Sequence, residues 1–195
     1  MKVRPRILVF AGSSRTGSIH RKLARAAAAA LMGMGVEVTL ADLRDYAMPL
    51  YDGDLEAAEG LPEAARRFRE LVRSHEGMVI ASPEYNGSFS ALLKNTIDWV
   101  SRPDTGEPPV AVFRGKAAAL IATSPGPGGG RRGLRHLQEL LEMIGVQVVG
   151  TQAIPRYGEA VDSEGNLLRA EDREAMARLV EEVVAAAAAK TVAAA

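Results

Sequence analysis

Short apolar runs rich in β-branched residues alternate along the chain with longer amphipathic segments. The runs at 7–10, 36–40, 78–81, 117–122 and 146–149 read as strands, and the segments at about 18–34, 55–74, 88–101, 131–144 and 168–190 as helices. The strand runs lack polar alternation, so both faces of each must be covered, and the helices between successive strands supply that cover. This is the pattern of a parallel, doubly wound α/β sheet. Five strands suit the order 2-1-3-4-5, which places a ligand crevice beyond the carboxyl ends of strands one and three. Three connections rich in Gly, Ser, Pro and Asn, at 12–17, 82–87 and 124–130, follow strands one, three and four, which are neighbours in that order. The long connection 42–54, with Pro49, Tyr51 and Asp52, is expected to wall one side of the crevice.

A length of 195 residues is enough for one core and short for two domains. Residues 1–190 are expected to form a single domain and 191–195 a frayed tail. Lys and Arg together number 24, as do Asp and Glu, so the formal net charge is zero and no basic block stands out. A nucleic acid or a membrane surface is therefore not an expected partner. The apolar run at 7–11 is too short for a signal segment, and the alanine-rich stretches are too short or too broken by charge to span a bilayer, so a soluble, cytoplasmic protein is expected. Cysteine is absent, which excludes thiolate nucleophiles, Fe–S clusters and zinc sites built on sulfur. Redox chemistry would need a bound cofactor.

The first loop reads Gly12-Ser13-Ser14-Arg15-Thr16-Gly17-Ser18, with Ser18 as N-cap of the following helix. Free backbone N–H groups, four hydroxyls and the Arg15 fork suit a phosphate. A hydrogen bond from Arg15 to phosphate is worth about 1.5–3 kcal/mol against roughly 0.3–1 kcal/mol from the helix dipole, so Arg15 would be the largest contributor. The glycine spacings of a dinucleotide fingerprint and of a P-loop are both missing. Gly and Ser here also fit a plain turn and cap, and the first loop by itself leaves both readings open.

The third strand is followed by Ser82-Pro83-Glu84-Tyr85-Asn86-Gly87-Ser88 and then Leu93-Lys94-Asn95-Thr96-Ile97-Asp98-Trp99. Pro83 and Gly87 restrict the backbone, while Tyr85 and Asn86 offer a π face and an amide to a planar ring. Taken with the Gly-Ser-x-Arg-x-x-Ser pattern of the first loop, the Pro-Glu-Tyr-Asn and Leu-Lys-Asn-x-x-Asp-Trp patterns resemble the NAD(P)H-dependent FMN reductases, the group that includes quinone, azo-dye and chromate reductases. The resemblance runs from Ile7 to about Gly150. It implies a flavodoxin-like three-layer sandwich, FMN as cofactor, and NADPH or NADH as electron donor. It also implies that Ser13, Arg15, Ser18, Ile19 and His20 hold the FMN phosphate, that Pro83, Glu84, Tyr85, Asn86 and Gly87 border the flavin ring, and that Ser124, Pro125 and Gly126 meet the ribityl chain or ring edge. A homodimer or homotetramer is implied as well. His20 departs from the Asn common at its position in the family.

The cofactor then carries the chemistry: hydride passes from nicotinamide to flavin, and a quinone or another small acceptor (azo dye, chromate, ferric complex, free flavin) takes the electrons, with no catalytic side chain required. A flavin-binding electron carrier or regulatory protein is the alternative. Trp99 is assigned to core packing, Lys94 and Asp98 to an i,i+4 ion pair, and the histidines to roles other than metal binding. Arg131 and Arg132 fit a nicotinamide phosphate, a neighbouring subunit or a solvated helix start.

Overall fold

The computed structural model describes residues 5–104 and 106–193. Strands β1 (Arg6–Ala11), β2 (Glu37–Ala41), β3 (Gly77–Ala81), β6 (Ala117–Thr123) and β7 (Gln147–Ile154) form one parallel sheet in the order β2-β1-β3-β6-β7. Counted along the main sheet alone, this is the expected 2-1-3-4-5 arrangement of a flavodoxin-like fold. Register places Val9 between Leu40 and Val79, and Ile80 beside Leu120.

The two-residue period of a strand sends neighbours to opposite faces, and both faces are apolar. Ile7, Val9, Val79, Ala119 and Ile121 pack against α1 (Ile19–Gly33) and α7 (Ala170–Ala193), which contribute Leu23, Ala27, Leu31, Leu179 and Val183. Leu8, Phe10, Met78, Ile80 and Leu120 pack on the other side against α3 (Glu63–Arg73), α4 (Ala91–Val100) and α5 (Arg131–Met143), through Phe68, Leu93, Ile97, Leu134 and Leu137. Each strand therefore ends at the same edge of the sandwich, where the loops after β1, β3 and β6 meet.

Several boundaries differ from the sequence pattern. The segment expected as one helix at 55–74 is two, α2 (Gly53–Glu59) and α3. Gly60 closes α2 at φ 73°, its N–H donating to the Glu56 carbonyl, and Pro62 precedes α3 without an N–H to continue the ladder. The helix expected from 88 begins at Ala91, capped by Ser90, whose Oγ accepts from Leu93 N. Residues before it form a small hairpin, β4 (Glu84–Tyr85) and β5 (Ser88–Phe89), joined by Asn86 and Gly87 at φ 52° and 78°. Two positive φ values make this the Asn-Gly turn whose twist suits a two-residue hairpin. The last strand continues past 149 to Ile154, and α7 reaches Ala193, into the segment expected as a tail, while 194–195 lie outside the described residues.

The connection after β2 does not form the expected wall. It docks on α4: the Pro49 carbonyl accepts from Trp99 Nε1 and Asn95 Nδ2, each at 2.8 Å, and Tyr51 meets the Trp99 ring edge-on. Trp99 is fully buried beside Leu61 and Ala65, and Lys94 pairs with Asp98 at 2.7 Å. Among the described residues no helix is long and apolar enough to cross a membrane.

Candidate functional site

A cleft of about 180 Å³ opens at the carboxyl ends of β1, β3 and β6. Its lining comprises Ser13, Arg15, Ser18, Ile19 and His20 from the first loop and α1, Pro83, Glu84 and Tyr85 from the second loop, and Thr123, Ser124 and Pro125 from the third. A second hollow of about 330 Å³ shares Ser13, Arg15 and Tyr85 with it and extends over Gly12, Ser14 and the start of α4 at Ser90 to Leu92.

The first loop is held by its own hydroxyls. Ser13 Oγ accepts from Arg15 N at 3.4 Å, and Ser18 Oγ accepts from Arg21 N at 3.4 Å as the α1 N-cap. Both serines are buried, and among the described residues neither hydroxyl donates to a protein acceptor. Two O–H donors thus face the cleft with their acceptor side already engaged. Gly12 sits where a Cβ would lie 3.1 Å from Leu93 Cβ and 3.2 Å from Ser90 Oγ, so a side chain there would push α4 away. Ser90 Oγ instead donates to the Gly12 carbonyl at 2.6 Å and ties the two elements together. Arg15 is exposed at the rim and makes no ion pair among the described residues.

His20 is buried behind the rim. Its Nε2 accepts from Thr123 N at 3.4 Å, and burial, aided by the Arg15 charge, lowers its pKa to about 4. It is neutral at pH 7, a spacer between α1 and β6 whose Nε2 is the acceptor, leaving Nδ1 with the hydrogen, and it adds no charge. Glu84 lines the cleft, yet its Oε2 accepts from Gly133 N at 2.9 Å, in the first turn of α5. Gly133 allows this approach, since a Cβ there would come within 3.2 Å of Glu84 Cβ. The carboxylate is committed to the helix, as expected of a residue with a structural role.

Of the residues named from the sequence, ten line the cleft together. Asn86 and Gly87 form the hairpin turn instead, and the Gly126 carbonyl accepts from Arg156 N at 3.1 Å and Ser124 Oγ at 3.2 Å on the loop's outer side. Thr123 was missed. It is the last residue of β6, and the rule that ligands sit at carboxyl ends of strands was the available signal. Its Oγ1 donates to the Ile154 carbonyl at 2.8 Å, pinning β7 to the cleft floor. The N-terminal turn of α4 was also missed, because its distance from Gly12 is set by packing across 78 residues of sequence.

A cleft with unpaired hydroxyl donors and a free guanidinium at one end, and a proline–tyrosine wall beside it, suits a ligand with a phosphate and a flat ring. The model of the NADPH-dependent FMN reductase family matches residues 5–158. The chain is 37% identical over 171 residues to the NAD(P)H-dependent FMN reductase PA1204 of Pseudomonas aeruginosa, covering 87% of this chain and 88% of that protein. It is 33% identical over 176 residues to the quinone reductase of Escherichia coli strain K12, with 83% and 88% covered. Among solved structures, FerB, a flavoenzyme NAD(P)H:(acceptor) oxidoreductase from Paracoccus denitrificans, superposes with a TM-score of 0.79 at 26% identity, over 94% of this chain and 97% of that one.

Proposed function

The chain belongs to the NADPH-dependent FMN reductase family, oxidoreductases that work with FMN and NAD(P)H, and from that premise we propose that its cleft holds FMN for electron transfer from the nicotinamide nucleotide to a quinone. The observation that carries the reading is the pairing of the exposed Arg15, which makes no ion pair among the described residues, with two buried serine hydroxyls that donate to no acceptor among them. Together they make a cationic, donor-rich end that a phosphate satisfies.

Arg15, Ser13 and Ser18 hold the phosphate, and Ile19 and neutral His20 back that end without adding charge. Pro83, Glu84 and Tyr85 border the ring, with Asn86 and Gly87 fixing the hairpin that carries Tyr85. Ser124 and Pro125 close the third side, held by Gly126. When bound, FMN supplies two-electron chemistry between donor and acceptor. The protein's residues position that group, keep part of it from water, and leave room for a flat partner, so none need act as acid or nucleophile. Glu84 fits this division of labour because its carboxylate is occupied by Gly133 N.

A quinone is the acceptor of choice because it is flat and takes two electrons, and the quinone reductase of Escherichia coli is a relative at 33% identity. We read residues 1–190 as one domain, the working form as a homodimer or homotetramer, and the compartment as the cytoplasm, where the nicotinamide nucleotides are. The test is steady oxidation of NADPH or NADH by FMN-loaded protein with a benzoquinone. Donor and acceptor are to use one site in turn, so initial-rate plots should be parallel. Intersecting lines would mean separate sites, and no turnover with FMN bound would make the protein a carrier or regulator.

A further inference from the structure

The third loop carries more positive charge than one FMN phosphate on the opposite rim requires. Arg131, Arg132 and Arg156 are all exposed, and among the described residues none has an ion pair or a side-chain hydrogen bond. The backbones of Arg156 and Arg131 are anchored to the segment that forms the cleft's third wall, and Arg132 follows Arg131 in α5. Arg156 N donates to the Gly126 carbonyl at 3.1 Å, Tyr157 N to the Ser124 carbonyl at 2.9 Å, and Arg131 N to the Gly128 carbonyl at 3.1 Å. Gly129 lies so close to Ile154 and Pro155 that a Cβ would come within 2.8–2.9 Å of their backbone atoms. The loop is thereby pressed onto the end of β7, and the segment bearing Arg156 meets the segment bearing Arg131 and Arg132. Arg132 reaches back over the hairpin, its Cδ 3.9 Å from the Cβ position of Gly87.

Two features separate these residues from ordinary solvated arginines. Arg156 has φ 53°, a left-handed conformation that Gly or Asn adopts more readily, and its two flanking hydrogen bonds hold it there. Among the described residues neither nearby acid forms an ion pair with the group: the Glu84 carboxylate accepts from Gly133 N, and Glu159, three residues from Arg156, makes no ion pair with it. Three exposed guanidinium forks on segments that adjoin the cleft's third loop are complementary to a substrate that brings several phosphates.

We infer that Arg131, Arg132 and Arg156 receive the phosphates of the nicotinamide nucleotide, and that they favour NADPH over NADH through its 2′-phosphate. The inference rests on the reading of the cleft as the FMN site. Arg15 serves the cofactor phosphate on one rim, and the arginine wall serves the donor on the other. The donor's ring is then left to enter between the two, toward Tyr85.

The test uses FMN-loaded wild type and the triple variant Arg131→Ala, Arg132→Ala, Arg156→Asn, asparagine being chosen because it tolerates the left-handed backbone. Titration calorimetry with adenosine 2′,5′-bisphosphate and with 5′-AMP isolates the 2′-phosphate from turnover. Wild type should bind the bisphosphate at least about tenfold more tightly than 5′-AMP, and the variant should lose that difference. In steady state, kcat/KM for NADPH should fall roughly 10- to 100-fold, that for NADH much less, with FMN affinity retained. Equal binding of the two adenosine ligands by wild type would overturn the inference. So would equal losses for NADPH and NADH, or a variant whose oligomeric mass shifts while its bisphosphate affinity holds, which would assign the arginines to a subunit contact. Failure of wild type to bind FMN at all would instead sink the underlying reading, and fluorescence of the flavin distinguishes that case.

Discussion

The backbone N–H of Thr123, at the end of β6, donates to Nε2 of His20 on α1 at 3.4 Å, so a buried imidazole joins the first and third loops of the cleft. Burial lowers the His20 pKa from 6.5 to about 4. The unfolded chain binds a proton below pH 6.5 that the folded protein refuses until about pH 4, so His20 makes stability rise with pH across that window. The full difference is about 3 kcal/mol, reached below pH 4. Urea unfolding of wild type and His20→Asn at a series of pH values should give curves that converge above pH 6.5 in slope, with the wild type losing stability faster below it. Parallel curves throughout would mean that His20 titrates normally.

Arg15→Ala should weaken FMN binding roughly 10- to 100-fold, the loss of a charge-assisted hydrogen bond worth about 1.5–3 kcal/mol. Riboflavin, which has no phosphate, should be affected much less, and the fold should persist because Arg15 is an exposed loop residue. Fluorescence quenching with both ligands checks this. Unchanged FMN affinity would move the phosphate site away from Arg15.

The contact of Glu84 with Gly133 N predicts a stability effect. Glu84→Ala leaves an orphan donor in the first turn of α5 and should cost about 1 kcal/mol, while Glu84→Gln keeps an acceptor and should cost less. Gly133→Ala should be destabilising as well, because its Cβ would lie 3.2 Å from Glu84 Cβ. Denaturant midpoints measure all three, and a neutral Glu84→Ala would show the carboxylate to be free of the helix.

Trp99 is the single tryptophan and is fully buried, so its emission should be blue-shifted in the folded protein and move to the red on unfolding. Trp99→Ala should cost about 3–5 kcal/mol. Trp99→Phe should fold with a smaller loss, since the Pro49 carbonyl still accepts from Asn95 Nδ2, and should bind FMN as wild type does. A folded Trp99→Phe protein with collapsed FMN affinity would place this residue in the site rather than the core.

The strands and the site loops could be read in advance for the same reason: each is a local composition forced by its surroundings. Strands covered on both faces must be apolar throughout, as β3 and β6 are, and loops that turn sharply at the sheet edge must use Gly, Ser and Pro. The hairpin at Glu84 to Phe89 falls partly in the expected loop 82–87 and partly in the expected helix from 88, because strands of two residues are too short to display alternation, although Asn86-Gly87 carries the turn signal. The break between α2 and α3 had its signal in Gly60 and Pro62, outweighed by the helical periodicity on either side.

What the sequence determined alone was the class of sheet, the strand order that suits five such strands, and the loops that line the cleft. Tertiary structure decided which polar groups are already engaged. Glu84 is occupied by Gly133, and His20 is neutral beneath Thr123, whereas among the described residues Arg15 at the cleft and Arg131, Arg132 and Arg156 on the segments adjoining its third loop make no ion pair. Residue type states what a side chain can bond. Only the packing of distant segments, through close approaches such as Gly12 on Leu93 and Gly129 on Ile154, settles which bonds are made within the protein and which remain for a ligand.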